Sequence, residues 1–265
     1  MKHISSRSNP EYRQLLRLAE GRHGAQAVLE GLHLCQEWVA HYGAPRYALF
    51  DEALLARQQD GELGALFGAL GAAACATCEP ALMRALSPIG QDQGVCFLVD
   101  VPRPPRPERI DADCLWLDRV QDPGNVGTLL RTAAAAGVGQ AYLSPGCAAA
   151  WSPKVLRSAQ GAHFAMAIHE HVDLAAERAR LAVPLLATSL QDGVSLYARA
   201  LPGRCAWLFG NEGRGVDPAL LQLADLRVFI PQAAGVESLN VSAAAAVCLF
   251  EQRRQRLAAH GVQVP

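Results

Sequence analysis

The chain has 265 residues, of which 51% are hydrophobic and 18% charged, and its formal net charge is −1. This composition can fill a core and excludes a disordered chain, and the neutral charge lends no support to a nucleic-acid partner. No apolar run reaches the ~18 residues that a membrane span needs, so we expect no membrane association. The polar opening Met1–Ser5 predicts no signal peptide and hence a cytoplasmic protein.

The first 100 residues predict a small α/β domain. Helical patterns cover Pro10–Ala19 and Ala27–Tyr42, and short apolar strands are predicted at Tyr47–Phe50 and Val95–Val99. Residues 101–111 follow, with four prolines in six positions, which forbids a helix or a central strand. We therefore predict an extended linker that separates residues 1–100 from residues 112–265.

The eight cysteines are scattered along the chain, mostly inside apolar runs where a thiol behaves as a small hydrophobic group. Cys75 and Cys78 form a lone C-x-x-C in an alanine-rich stretch. No second Cys or His pair stands at a spacing that would complete a metal site. We therefore expect no metal.

Residues 112–265 alternate between short apolar strands and helices. Such strands, without polar alternation, favour a parallel sheet that is covered on both faces. The predicted strands are Cys114–Leu117, Ala141–Leu143, Pro184–Ala187, Cys205–Phe209 and Val228–Ile230. The predicted helices are Val126–Ala136, Pro153–Ala159, Leu174–Ala182, Pro218–Ala224 and Val241–Ala258.

The first of three chemically informative segments, residues 117–137, follows the first of these strands. Open α/β sheets bind ligands at this carboxyl edge. Asn125 is predicted to cap the helix that begins after the Pro123-Gly124 turn, and Gly137 to end it. Gly127 and Arg131, four residues apart, share a face on which Arg131 is the only large group. The alternative is a capped helix with a solvated arginine.

The second segment, residues 207–218, is a hydrophobic strand that breaks into a glycine-rich loop. Glycines after a strand allow the backbone to approach a ligand closely, although a tight turn is the alternative. The loop has G-x-x-G-x-G spacing, unlike the G-x-G-x-x-G of dinucleotide folds, and it lacks the lysine of a phosphate-binding loop. Asp217 and Pro218 are predicted to cap and begin the next helix.

The third segment, residues 228–246, carries three polar residues after a strand that ends at Pro231. These residues, Glu237, Ser238 and Asn240, precede an alanine-rich helix. Ser238 or Asn240 is predicted to cap that helix if it has no other role. The run of small residues from Ser242 to Ala246 predicts close packing against another surface.

Together and in this order, the three segments resemble the signature of the SpoU (TrmH-type) branch of the SPOUT RNA methyltransferases. The matching motifs are N-x-G-x-x-x-R at 125–131, F-G-N-E-G-x-G at 209–215 and E-S-L-N-V-S at 237–242. Residues 152–164 are similar to the members that modify ribosomal RNA. The first 100 residues are more loosely similar to the substrate-binding domain of the family.

The resemblance implies a parallel-sheet SPOUT domain with a trefoil knot, a homodimer, and methyl transfer from S-adenosyl-L-methionine to a ribose 2′-hydroxyl of RNA. It places Arg131 and Asn125 at the ribose, supported by Glu212, Ser238 and Asn240. The residues that it implies for the cofactor are Leu208, Gly210, Asn211, Gly213, Ile230, Leu239 and Asn240. The basic residues expected to contact RNA are Arg7, Arg13, Arg17, Arg22, Lys154 and Arg157.

The role of Arg131 stays open between two chemistries. The family proposal makes it the base that takes the hydroxyl proton, but a guanidinium keeps its own proton in nearly all proteins. The other role is that of a cation that stabilises the developing alkoxide.

Three other functions remain open from the sequence. The first is methylation of transfer RNA, although ribosomal RNA is the preferred substrate because of the N-terminal domain and residues 152–164. The second is a non-catalytic RNA-binding or assembly factor of the same fold. An α/β enzyme that binds another nucleotide through residues 210–215 is the third, although the spacing of its glycines argues against it.

Overall fold

The computed structural model describes residues 2–21, 24–86, 94–190, 192–236 and 238–261. Its contacts group the chain into two compact units. The first contains Met1–Pro102 together with Trp151–Phe164, and the second contains Arg103–Ala150 together with Ala165–Pro265. Residues 151–164 thus pack with the first unit, although they follow the proline-rich segment in sequence. The predicted division into functional domains at residues 101–111 stays a prediction.

Strands and helices alternate along most of the described chain, which confirms the predicted α/β class. The strands are β1 (Lys2–Ile4), β2 (Gln26–Glu30), β3 (Tyr47–Asp51), β4 (Cys75–Cys78), β5 (Val95–Asp100), β6 (Cys114–Leu117), β7 (Gln140–Leu143), β8 (Ala167–His169), β9 (Leu185–Thr188), β10 (Val194–Ser195), β11 (Ala206–Phe209) and β12 (Leu226–Phe229). The α-helices are α1 (Pro10–Ala19), α2 (Leu32–Tyr42), α3 (Glu52–Arg57), α4 (Glu62–Leu70), α5 (Pro80–Leu86), α6 (Pro123–Ala136), α7 (Pro153–Ala159), α8 (Leu174–Glu177), α9 (Pro218–Leu223) and α10 (Val241–Ala259). Short 3₁₀ helices lie at Ala162–Phe164, Arg178–Arg180 and Leu196–Ala198.

The first unit is built on a mixed five-stranded sheet with the order β1-β4-β3-β5-β2. The β1, β4 and β3 strands run parallel, whereas β5 pairs antiparallel with both β3 and β2. Tyr12 and Leu15 of α1 are fully buried in its core, and the Tyr12 hydroxyl donates to the Leu82 carbonyl at 2.9 Å. This bond satisfies the one polar atom of an otherwise apolar packing residue.

The second unit contains a seven-stranded sheet in which every pair is parallel, with the order β10-β12-β9-β11-β6-β7-β8. This confirms the predicted parallel sheet. The central strands β6 and β11 are buried at every position, because helices cover both of their faces. Leu117 and Phe209 are paired at the ends of these strands, so the loops of the first two informative segments begin side by side.

Two expectations about secondary structure need correction. The start of the predicted helix Ala27–Tyr42 is wrong: β2 occupies Gln26–Glu30, where Val28 pairs with Leu98, and this pairing overrides the helical pattern. Gly31, at a φ of 93°, separates β2 from α2. The predicted helix Leu174–Ala182 is only one turn of α-helix, α8, followed by a 3₁₀ turn.

The cysteine pair lies in β4, where all four residues are buried. Burial raises the pKa of Cys75 to about 11, so its thiol stays protonated near neutral pH. Within the residues that the structure describes, no three His, Cys, Asp or Glu side chains group so that they could hold a metal ion. None of the described helices combines the length and apolar content that are required to cross a membrane.

Candidate active site

A buried carboxylate joins the loops at the carboxyl edge of the parallel sheet. Asp118, which follows β6 and is 3% exposed, accepts hydrogen bonds from Arg119 Nε at 3.1 Å and from the backbone N–H of Asp217 at 2.9 Å. The Ser144 hydroxyl, which follows β7, lies 3.4 Å from it. Arg119 also pairs with Asp217 at 3.2 Å. The loops after β6, β7 and β11 are therefore held to one another.

The glycine-rich loop after β11 closes on itself. The backbones of Asn211 and Gly215 exchange two hydrogen bonds, of 3.0 and 2.8 Å, and Gly215 has a φ of +71° that favours glycine. A side chain at Gly210 would place Cβ 2.2 Å from the backbone nitrogen of Val216. The Asn211 side chain accepts from the N–H of Gly213 at 3.0 Å. The G-x-x-G-x-G spacing is thus that of a closed turn.

Helix α6 is capped by Asp122, so the prediction that Asn125 caps it is wrong. The Asp122 carboxylate accepts from the Asn125 backbone N–H at 2.8 Å. This places Asn125 in the first helical turn, where its side-chain amide is free to reach other segments. Gly137 ends the helix in the left-handed conformation, as the sequence predicted.

Glu212 links the glycine-rich loop to the start of α6. Its carboxylate accepts from the Asn125 side-chain amide at 3.0 Å and from the backbone N–H groups of Asp122 at 3.1 Å and Gln121 at 3.3 Å. Burial raises the pKa of Glu212, but the hydrogen bonds from Asn125 and from backbone N–H groups outweigh it and leave the pKa lowered. An ionised carboxylate only accepts, so it orients the NH₂ group of Asn125 towards itself.

The Asn125 oxygen consequently faces the third segment. It accepts from the Asn240 side-chain amide at 3.0 Å and lies 3.3 Å from the Ser242 hydroxyl. Asn240 also caps α10, with its oxygen 2.9 Å from the Ser242 backbone nitrogen. We call Glu212, Asn125, Asn240 and Ser242 the asparagine network. It connects all three informative segments through direct hydrogen bonds.

Ser242 was not among the predicted site residues. The sequence predicted close packing over Ser242–Ala246 but assigned no partner to the hydroxyl. In the structure α10 packs against α6, and the Ser242 hydroxyl lies 3.2 Å from the Asn125 carbonyl. The last serine of the E-S-L-N-V-S motif was the signal by which the sequence could have identified Ser242 as a site residue.

A cavity of about 570 Å³ opens beside the glycine-rich loop. Glu212 and Ser238 contribute to its wall. Of the residues predicted to contact the cofactor, those that line it are Gly210, Asn211, Gly213, Ile230, Leu239 and Asn240. Leu208 is fully buried in the core of the second unit and does not line the cavity, because its position within β11 directs it into the sheet packing.

Arg131 lies on the exposed face of α6 together with Thr128 and Ala135, whereas Gly127 is buried. Within the described residues, the side chain of Arg131 has no hydrogen bond or ion pair. It does not line the cavity. Its guanidinium is therefore available to another molecule at this surface.

The expected RNA-contacting residues that the structure describes all belong to the first unit. Arg7, Arg13, Arg17 and Lys154 are exposed, and Arg157 pairs with Glu30 at 3.4 Å. Arg22 lies outside the described residues, as does Glu237 of the third segment.

The fold and the site together define an α/β domain of the SPOUT type, with a ligand cavity at the carboxyl edge of a parallel sheet. Residues 114–250 match the SpoU rRNA Methylase family. The chain belongs to this family, which confirms the resemblance found in its motifs.

Relatives cover the chain to different extents. Over 145 residues the chain is 43% identical to the 23S rRNA (guanosine(2553)-2′-O)-methyltransferase RlmP of Bacillus subtilis. The matched region spans 52% of this chain and 57% of RlmP. It is 33% identical to an uncharacterized tRNA/rRNA methyltransferase of Synechocystis over 97% of this chain and 95% of the other. The match to the human mitochondrial rRNA methyltransferase 3 spans 46% of that protein. The chain thus covers about half the length of several curated relatives.

Solved structures resemble nearly the whole chain. The AdoMet-bound rRNA methyltransferase from Sinorhizobium meliloti superposes with a TM-score of 0.81 at 25% identity, covering 96% of this chain and 97% of the other. The similarity therefore covers residues of both compact units.

Proposed function

We propose that this protein transfers a methyl group from S-adenosylmethionine to a ribose 2′-hydroxyl of structured RNA, with ribosomal RNA as the substrate. The observation that carries the proposal is the asparagine network, which joins three segments of the chain at the wall of the 570 Å³ cavity. The similarity to RlmP, a 23S rRNA 2′-O-methyltransferase, and to the AdoMet-bound rRNA methyltransferase supports the same chemistry.

The cavity fits a ligand of this kind. Its volume lies within the roughly 300–1,000 Å³ that small-molecule sites occupy. Its wall includes the backbone of Gly210 and Gly213 and the apolar side chains of Ile230 and Leu239. Such a wall suits a molecule with both polar and apolar parts. Gly210, Asn211, Gly213, Ile230, Leu239 and Asn240 would hold the cofactor. When bound, it supplies the methyl group activated on a sulfonium.

The residues of the chain orient the hydroxyl and stabilise the charge that develops on it. Methyl transfer requires an aligned oxygen, which bonds to the methyl carbon as the bond from sulfur breaks, and the loss of the hydroxyl proton to water around the transition state. Glu212 and Asn240 hold the Asn125 amide from opposite sides, which makes it a rigid element next to the cavity. For Arg131 we propose the role of a cation that stabilises the developing alkoxide, because this role requires no deprotonation of a guanidinium.

The proposal includes a trefoil knot in the second unit, a homodimer and a cytoplasmic location. The SpoU resemblance supports the knot and the dimer, and the RNA substrate supports the location. Val236 and Phe250 are 53% and 46% exposed, and a second copy of the chain would cover such apolar groups. Light scattering coupled to gel filtration tests the dimer, and a monomer at micromolar concentration would contradict it.

Calorimetry with S-adenosylmethionine tests the proposed activity first, and we expect saturable binding. Incorporation of labelled methyl groups is then measured with ribosomal and transfer RNA from cells that lack the protein, followed by mapping of the 2′-O-methyl site. We expect incorporation at a ribose of ribosomal RNA. Binding of RNA without any heat from the cofactor would instead favour a non-catalytic factor, and incorporation into transfer RNA alone would identify that substrate.

A further inference from the structure

Three neighbouring rings form a surface on the first unit that the methyl-transfer site does not use. His41 and Tyr42 end α2 and are exposed, Tyr42 to 48%, and Phe164 lies beside them. The rings of His41 and Phe164 stack with centroids 5.3 Å apart at 27°, and those of Tyr42 and Phe164 are 6.3 Å apart. We call these three rings the aromatic shelf.

The shelf rests on buried indoles that hold it in place. The Tyr42 ring lies 4.6 Å from the ring of Trp38, which in turn meets Trp151 edge-on at 6.5 Å. Both tryptophans are buried. His41 Nδ1 lies 2.9 Å from the Glu37 carbonyl, which orients the imidazole. A ligand would therefore meet rings that are already positioned, with little entropy lost on binding.

A pocket of about 130 Å³ adjoins the shelf, and Glu30, His33, Arg157 and Gln160 contribute to its lining. Gly161 lies between the pocket and the shelf. A Cβ there would come 3.3 Å from His33 Nε2 and 3.8 Å from Phe164 Cδ2, and its φ is +86°. Gly161 therefore lies next to one residue of the pocket, His33, and next to one ring of the shelf, Phe164.

The charges at the pocket suit the edge of a nucleobase. Arg157 and Glu30 approach to 3.4 Å, which presents donors and an acceptor side by side. A base edge also carries both, whereas a phosphate would be repelled by Glu30. Lys154, exposed on α7 one turn before Arg157, supplies a cation for the adjoining phosphate.

We propose that the aromatic shelf and its pocket form a subsite for unpaired nucleotides of an RNA. One base stacks on Tyr42, whose ring plane is tilted 50° from that of Phe164, and the edge of the neighbouring base enters the pocket at Glu30 and Arg157. The proposal rests on RNA being the substrate of the protein. Sequence-specific binding of RNA commonly uses splayed bases that stack on aromatic side chains, for which exposed flat rings beside a cation are suited.

The test measures the affinity of the full-length protein for a single-stranded RNA of mixed sequence, about twelve nucleotides long, by fluorescence anisotropy. Tyr42→Ala should weaken binding about 5- to 150-fold, the loss of one stacked base. Tyr42→Trp should bind within about threefold of wild type, because it keeps a flat ring. The matched control is Tyr197→Ala, since Tyr197 is 58% exposed on the second unit, and it should leave the affinity unchanged.

Unchanged affinity of Tyr42→Ala for the RNA overturns the proposal and would instead favour a protein partner for the shelf. Equal losses in Tyr42→Ala and Tyr42→Trp also overturn it, because they would exclude stacking. Photo-crosslinking of a 4-thiouridine RNA should label peptides from residues 31–43 or 151–164, and labels confined to other peptides count against it.

Failure of the subsite and failure of the proposed function are distinguishable. Cofactor binding in Tyr42→Ala should equal that of wild type, because the shelf belongs to the first unit and the cavity to the second. If the wild-type protein binds no S-adenosylmethionine while Tyr42→Ala still reduces RNA binding, the methyl-transfer proposal is wrong and the subsite stands.

Discussion

The carboxyl edge of the parallel sheet and the aromatic shelf hold their exposed groups in place by different forces. At the sheet edge, Asn125 and Asn240 are fixed by hydrogen bonds of defined direction, in which one donor or acceptor cannot be exchanged for another. On the shelf, Tyr42 and Phe164 are fixed by contact between flat rings, which tolerates exchange among aromatic residues.

This difference has a consequence for sequence motifs. A network of directional bonds requires particular residue types at particular positions, so it produces a recognisable pattern such as N-x-G-x-x-x-R. Ring packing requires only shape and apolarity, and it produces none. Changes at the sheet edge should therefore lower the rate of methyl transfer, whereas changes on the shelf should weaken RNA binding.

The largest expected effect is that of Arg131→Ala. Loss of a cation that stabilises a developing oxyanion typically lowers kcat by about 10²–10³-fold. Folding should be unaffected, because Arg131 is exposed and exposed substitutions usually change stability by less than about 0.5 kcal/mol. Steady-state kinetics and thermal melts test this, with Thr128→Ala on the same face of α6 as the control. Wild-type rates in Arg131→Ala would remove this residue from the chemistry.

A smaller loss of kcat is expected for Asn125→Asp. The substitution keeps the shape of the side chain, but it removes the amide that donates to Glu212 at 3.0 Å and sets two carboxylates against each other. We expect kcat to fall about 10- to 100-fold, the cost of a misplaced positioning group. Adding Glu212→Gln to this variant restores a donor and should recover part of the rate. If the double variant is no better than Asn125→Asp, the pair does not act through this bond.

The glycine-rich loop offers a stability comparison between two positions. Gly210→Ala should destabilise the protein by about 1–3 kcal/mol, because its Cβ would lie 2.2 Å from the Val216 nitrogen. At Gly213 the nearest atom to a new Cβ is Asn211 Oδ1 at 3.7 Å, so Gly213→Ala should be close to neutral. Urea unfolding without ligand measures both. Equal stability of the two variants would mean that the loop rearranges freely.

The smallest expected effect is on the stability of the protein at acid pH. The pKa of Glu212 is lowered from 4.5 in the folded protein, so its ionised form contributes stability at neutral pH that is lost as the pH falls through the folded value. The stability difference between wild type and Glu212→Gln should therefore be present at pH 7 and shrink below about pH 4.5. Urea midpoints over this range test it. A constant difference would show that the Glu212 charge does not stabilise the loop.

The sequence by itself determined the α/β class, five of the seven strands of the parallel sheet and the three segments that meet at its edge, but it missed β8 and β10. It could do so because buried parallel strands are continuously apolar, and because glycine, proline and capping residues act on the backbone next to them. Even there the cap was misassigned: Asp122 and Asn125 are both suitable capping residues, and local pattern does not choose between them.

Only the tertiary structure decided how distant residues combine. The bonds of Asn125 to Glu212 and Asn240 join positions 87 and 115 residues away, and no local pattern encodes such a separation. The strand β2 was predicted as helix because its pairing with β5 lies outside the local window. The shelf likewise joins α2 to residues 151–164, which come together through packing that is specified by shape rather than by residue type.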